Sequence, residues 1–191
     1  MRRTIIEHHV REVSSLDGLW TMQPSDGSGM SYQTYVPGVW ERIPALAKFR
    51  GVADYERQVL VSKPEHYLLR IGAVSHTGIV YWDGKQVGQH YNAYTGFDIL
   101  LPNVTEGLHH LRVQVDNRFS EASALHISND YFTYGGITRP VEWQRVGQIC
   151  IECIAFHSIK QEDGSYTAVV KVYVHAVEDT HHCAAGAQHA A

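Results

Sequence analysis

The sequence predicts an all-β fold, a sandwich of two antiparallel sheets, and three observations carry that prediction. Short stretches alternate apolar and polar residues with period two, most clearly where Leu111, Val113 and Val115 interleave with Arg112, Gln114 and Asp116. Gly, Pro and Asp-Gly turns separate these stretches at short intervals. Helical periodicity is scarce, limited to one possible turn at residues 45–49.

Taken in order, the first clear strand is 55–61, after the loop marker Pro37-Gly38. Leu69, Ile71 and Ala73 repeat the alternation. Ile79-Val80-Tyr81-Trp82 runs into Asp83-Gly84-Lys85, where Asp-Gly supplies the positive φ angles of a tight hairpin, and 86–90 is the returning strand. Pro102-Asn103 and Gly107 mark the turn that feeds the strand containing Leu111. Further strands are predicted at 149–156 and 166–174. Trp20, Trp40 and Trp82 fall at strand or turn positions suited to core burial. After Val177 the composition turns to His, Ala and Gly, which predicts a disordered tail over 178–191.

With 191 residues, 44% of them hydrophobic and 19% charged, the chain is long enough to bury a sizeable core, and bulk disorder is excluded. A net charge of -4, with no basic run longer than Arg2-Arg3, argues against a nucleic-acid partner. Protonating all 13 histidines would carry that charge from -4 to +9. No apolar stretch approaches the roughly 20 residues of a membrane span, and no secretory signal follows Met1. Three cysteines favour reduced thiols, so a cytoplasmic location is expected. Cys150 and Cys153 form a C-x-x-C within a predicted strand, where residues three apart point to opposite faces; they are expected to be buried structural thiols. The same alternation separates the members of the pairs His8-His9, His109-His110 and His181-His182, and neither a metal nor a cofactor is expected.

Several short motifs occur together. Leu16-Asp17-Gly18-Leu19-Trp20 precedes Val36-Pro37-Gly38-Val39-Trp40 and Tyr55-Glu56-Arg57-Gln58-Val59. Val80-Tyr81-Trp82-Asp83-Gly84-Lys85, Tyr94-Thr95-Gly96-Phe97-Asp98 and Leu111-Arg112-Val113-Gln114-Val115-Asp116-Asn117 follow, and then Asp130-Tyr131-Phe132-Thr133-Tyr134-Gly135-Gly136-Ile137-Thr138-Arg139-Pro140-Val141. In this order they resemble the N-terminal sugar-binding domain of glycoside hydrolase family 2, the group of β-galactosidases, β-glucuronidases and β-mannosidases. The likeness covers about residues 14–160.

The resemblance implies an antiparallel jelly-roll β-sandwich of the galactose-binding type over 1–160. It further implies the first strand of an immunoglobulin-like domain over 161–177. In the family the two catalytic glutamates sit on a TIM barrel, and a barrel alone needs about 250 residues. The resemblance therefore places no catalytic residue on this chain, and implies a β-glycoside as substrate only of an intact enzyme that includes the barrel. By the same likeness Asp130 is the sugar-contacting carboxylate, with Tyr131 and Asn92 as further sugar-binding candidates on the rim with Tyr91 and Tyr94. Arg139 and Tyr134 are candidates for loop or interdomain support. The rings of Tyr131, Phe132 and Tyr134 could stack on a sugar, but are expected to pack around Gly135-Gly136. Two other readings of the residues stay open, a free-standing carbohydrate-binding module and an assembly domain without sugar affinity, the latter compatible with a homo-oligomer.

Overall fold

A computed structural model describes residues 12–119 and 132–177. The strands are β1 (Val13–Ser15), β2 (Gly18–Pro24), β3 (Tyr32–Val36), β4 (Val52–Val61), β5 (Glu65–Ile71), β6 (Val74–Ser75) and β7 (Thr77–Trp82). They continue with β8 (Lys85–Tyr91), β9 (Phe97–Val104), β10 (Gly107–Asp116), β11 (Gly136–Ile137), β12 (Val141–Val146), β13 (Ile149–Lys160) and β14 (Tyr166–Ala176). Helical geometry among the described residues is confined to two 3-10 turns, Trp40–Arg42 and Pro44–Leu46. The second of these overlaps the turn expected at 45–49.

Two antiparallel sheets form the sandwich, one in the order β1-β12-β5-β9 and one in the order β3-β2-β4-β10-β7-β8. β10 lies inside the larger sheet because both of its neighbours match its alternation: Val113 pairs with Tyr55 of β4 and with Val80 of β7. Its inward residues Leu111, Val113 and Val115 are wholly buried, as the period-two pattern predicts. On the outer face Arg112 bonds Asp54 at 3.1 Å and stacks 3.8 Å from the Tyr81 ring centroid. The β7–β8 hairpin turns on Asp83 (φ 49°) and Gly84 (φ 80°). The Asp83 carboxylate also accepts the His110 backbone N–H at 2.8 Å, so the turn is tied to β10.

The core between the sheets includes Trp20, Met22, Trp40, Tyr55, Leu69 and Ile71. At one end four rings stack in series across the sandwich: Tyr67 on Trp143 at 4.4 Å, Trp143 on Trp82 at 5.0 Å and Trp82 on His109 at 5.0 Å. The three expected core tryptophans are buried.

The chain divides into two compact units, Met1–Arg145 and Val146–Ala191. The division falls earlier than residue 160, because the stretch 149–156 forms part of β13, whose partner is β14. The tail over 178–191 lies outside the described residues.

The two cysteines differ from expectation. Cys150 is half-buried and Cys153 exposed, and a β-bulge falls between Ile151 and Cys153. Their cross-strand partners, His175 and Tyr173, are two residues apart, so both cysteines lie on one face of the hairpin. The extra residue of the bulge resets the alternation that would have separated them.

Candidate functional site

At the end of the sandwich where β10 finishes, the stretch 38–41 is zipped to 135–137. Gly38 N–H donates to the Ile137 carbonyl at 2.8 Å, Trp40 N–H to the Gly135 carbonyl at 3.0 Å, and Gly135 N–H to Glu41 Oε1 at 2.9 Å. Glycine is required at 135, since a Cβ there would lie 2.0 Å from the buried Trp40 ring. Trp40 is held in turn by its indole N–H on the Phe49 carbonyl at 3.2 Å.

Arg50 is the hub of this end. Its guanidinium donates through Nη1 to the Asn117 carbonyl and through Nη2 to Thr133 Oγ1, each at 2.7 Å, and stacks 4.1 Å from the Phe119 ring centroid. The planar fork suits three contacts pointing different ways. Asn117, itself wholly buried, accepts the Gly51 N–H on its side-chain oxygen at 2.9 Å. One arginine thereby joins the end of β10 to the segment that leads into β11.

Around Arg50 lie buried polar atoms with no hydrogen-bond partner among the described residues: Glu41 Oε2, Tyr55 Oη, Asn117 Nδ2 and both ring nitrogens of His76. Their environment shifts their titration. Burial raises the Glu41 pKa against its bonds to Gly135 and the Arg50 charge. Tyr55 is pushed above the ordinary tyrosine range by burial and by the neighbouring Glu41 charge. His76, 1% exposed, is pushed down by burial and by the Arg50 cation, with Asp116 opposing.

Two loops open to solvent on this frame. Asn92 is half-buried and its side-chain oxygen accepts the Tyr94 N–H at 2.8 Å, a local turn of the kind Asn favours. The exposed Arg139 donates through Nη1 to the Tyr94 carbonyl at 2.7 Å, joining the 91–96 loop to the segment after β11. Tyr134 is fixed through its backbone, whose carbonyl accepts the Ser75 hydroxyl. Its ring and that of Phe132 do not pack under Gly135-Gly136 as expected; they are 52% and 56% exposed, 4.8 Å apart. Trp40 already fills the space beside Gly135, and the two rings are displaced outward. Asp130 and Tyr131 lie outside the described residues. The structure thus brings Asn92, Tyr94, Tyr134 and Arg139 to neighbouring segments of one end. Arg50, Glu41, His76 and Asn117 went unread as site residues in the sequence, although the motifs at 36–40, 111–117 and 130–141 marked this place.

Among the described residues no group of three or more His, Cys, Asp or Glu is placed to hold a metal ion. His109 and His110 reach different partners, Asp83 at 2.7 Å and Glu56 at 3.6 Å. A cleft of about 70 Å³ at the opposite end, lined by Lys63, Tyr67, Trp143 and Arg145, is far below the roughly 300 Å³ from which small-molecule pockets begin. No described helix is long and apolar enough to cross a membrane.

No protein-family model matches the chain. It is 37% identical to the β-galacturonidase of Eisenbergiella tayi, a glycoside hydrolase family 2 protein with a crystal structure bound to galacturonate; the superposition has a TM-score of 0.80 and covers 92% of this chain and 32% of that one. A β-glucuronidase from an uncultured Clostridium, at 21% identity and a TM-score of 0.75, shares the fold over 93% of this chain and 36% of its own. Among curated proteins, a β-glucuronidase of Streptococcus agalactiae is 28% identical over 43% of this chain, and a putative β-glucuronidase of Formosa agariphila is 30% identical over 56%. The chain spans less than a fifth of either curated relative and about a third of the two solved ones. Its ordered motifs, its paired antiparallel sheets and this likeness together identify the chain as an N-terminal domain of glycoside hydrolase family 2.

Proposed function

We propose that this domain forms a non-catalytic wall of the substrate cleft in an enzyme that hydrolyses β-linked uronides. The observation that carries the reading is the end of the sandwich built around Arg50, where Tyr91, Tyr94, Phe132 and Tyr134 stand exposed on segments fixed from beneath. Aromatic faces complement the C–H faces of a pyranose, and loops on a rigid sheet hold them in place. Uronide is the substrate class because the relatives include a galacturonidase and glucuronidases. Asp130, two positions before Phe132 in sequence, supplies the carboxylate that accepts hydrogen bonds from sugar hydroxyls. Asn92 and Tyr131 border the same sugar, and Arg139 and Tyr134 support the loops. Catalysis belongs to carboxylates of a barrel outside this chain. Three cysteines in an odd set suit a reducing, cytoplasmic compartment.

The test is steady-state kinetics of the uronidase that carries this domain, with wild type set against Asp130→Asn. Loss of one charged acceptor should lower kcat/KM on a nitrophenyl uronide about tenfold to a hundredfold, with an unchanged melting midpoint. Undiminished kcat/KM would make Asp130 a turn residue and sink the assignment.

A further inference from the structure

Burial alternates along Phe132, Thr133 and Tyr134 as it does along a strand. Thr133 is 4% exposed, and the rings on either side of it face outward, 4.8 Å apart and tilted 54° to each other. Separate segments hold this stretch from beneath. Ser75 donates its hydroxyl to the Tyr134 carbonyl, Glu41 accepts the Gly135 N–H, and Arg50 donates to Thr133 Oγ1 at 2.7 Å. The first two grip the backbone after the second ring. The bond to Thr133 falls between the rings, where a shift of the anchor moves both.

Arg50 is itself fixed on its other side. Asn117 N–H donates to the Gly51 carbonyl at 3.1 Å and Gly51 N–H to Asn117 Oδ1 at 2.9 Å, so the chain beside Arg50 is bonded twice to the residue after β10. The guanidinium adds its own bond to the Asn117 carbonyl and its stack on Phe119. Hydrogen bonds from a charged donor are the stronger kind, and the planar fork reaches two acceptors at once. A lysine ammonium keeps the charge but lacks the fork.

We propose that Arg50 is a positioning residue of the cleft wall: through Thr133 it sets the spacing and tilt at which Phe132 and Tyr134 meet a pyranose ring. This rests on the reading of that end as a sugar-facing wall, and adds the buried group on which the wall depends. The rings are asked only to bind, before and during reaction alike, so a displaced pair weakens binding and leaves the chemical step unchanged. The effect of Arg50 therefore belongs in KM. A role confined to folding would instead lower the active fraction and the melting midpoint together, at unchanged KM.

Steady-state kinetics of the uronidase that carries this domain, on nitrophenyl β-galacturonide and β-glucuronide, test this, with a melting curve for each variant. Removing both rings, Phe132→Ala with Tyr134→Ala, should raise KM about tenfold. Arg50→Lys should raise it by a similar factor. Thr133→Val, which keeps the shape and removes the hydroxyl, should raise it about threefold to tenfold, with kcat within about twofold of wild type. Thr133→Ser restores the acceptor and should bring KM back toward wild type. Added to the variant without rings, Arg50→Lys should raise KM no further. A wild-type KM in the variant without rings would remove the sugar-facing reading itself. A raised KM there, alongside wild-type KM in Arg50→Lys and Thr133→Val, overturns this proposal and leaves that reading standing. So does an Arg50→Lys effect that persists without the rings, or one carried by kcat and the melting midpoint. Should Arg50→Lys fail to fold, Thr133→Val set against Thr133→Ser decides.

Discussion

Near pH 6 two histidines of the sandwich work on stability in opposite directions. His76 is neutral in the fold because burial and the Arg50 cation disfavour its proton. Its contribution is present above the unfolded histidine value, about 6.5, and is lost as pH falls toward the depressed folded value. His109 is the reverse case: burial alone would lower its pKa, but the Asp83 hydrogen bond and charge and the bond to the Thr105 carbonyl outweigh it and raise the value. Both ring nitrogens face acceptors, at 2.7 Å and 2.8 Å, an arrangement only the imidazolium fully satisfies. Its contribution is complete below about 6.5 and disappears as pH rises through the raised folded value. Urea midpoints followed between about pH 5 and pH 8 should therefore lose their acid-side fall in His76→Phe and their alkaline-side fall in His109→Gln. Midpoint curves parallel to wild type in both variants would refute the assignment. In the sequence His109 drew notice only as half of the His109-His110 pair, and neither His76 nor Arg50 stood out. Arg50 meets partners 67 and 83 positions away, and no local period encodes contacts of that range.

Among the elements, the junction of β11 with the 38–41 stretch is the least forgiving. Gly136 has φ 134°, and a Cβ there would sit 2.6 Å from the Gly38 carbonyl oxygen. Both the dihedral and the close backbone demand glycine. Gly136→Ala should cost about 2–4 kcal/mol in urea or thermal unfolding, while Gly147→Ala, with open space around it, should change stability by less than about 0.5 kcal/mol. Equal effects would show that the junction yields. The strongly patterned strands were legible for the same reason they are stable: β10 alternates over a long stretch, and its buried residues are those the period selects. Two-residue β6 and β11 carry no readable period, and they form because Gly136 pairs with Ser75 and Ile137 with Val74 across the chain. The C-x-x-C was misread because a bulge leaves no local signature in Ile151-Glu152-Cys153.

For the whole molecule, the family and the sandwich were legible because ordered motifs report a shared fold, whereas the candidate site was legible only at its exposed rim. The buried frame beneath it depends on long-range contacts and had to be seen. The ring series from Tyr67 through Trp143 and Trp82 to His109 bears on cooperativity in a different way. Tyr67 and Trp143 belong to the smaller sheet, Trp82 and His109 to the larger, and the two indoles meet face to face at 5.0 Å. Indoles this close share their excited states, so the pair should give an exciton-split couplet in circular dichroism that exists only while the two sheets are docked. Single-residue Trp143→Phe should abolish the couplet and leave the strand signal. During mild acid or urea treatment, disappearance of the couplet ahead of the strand signal would reveal sheets that separate before they unravel, and coincident loss would mark a single cooperative unit.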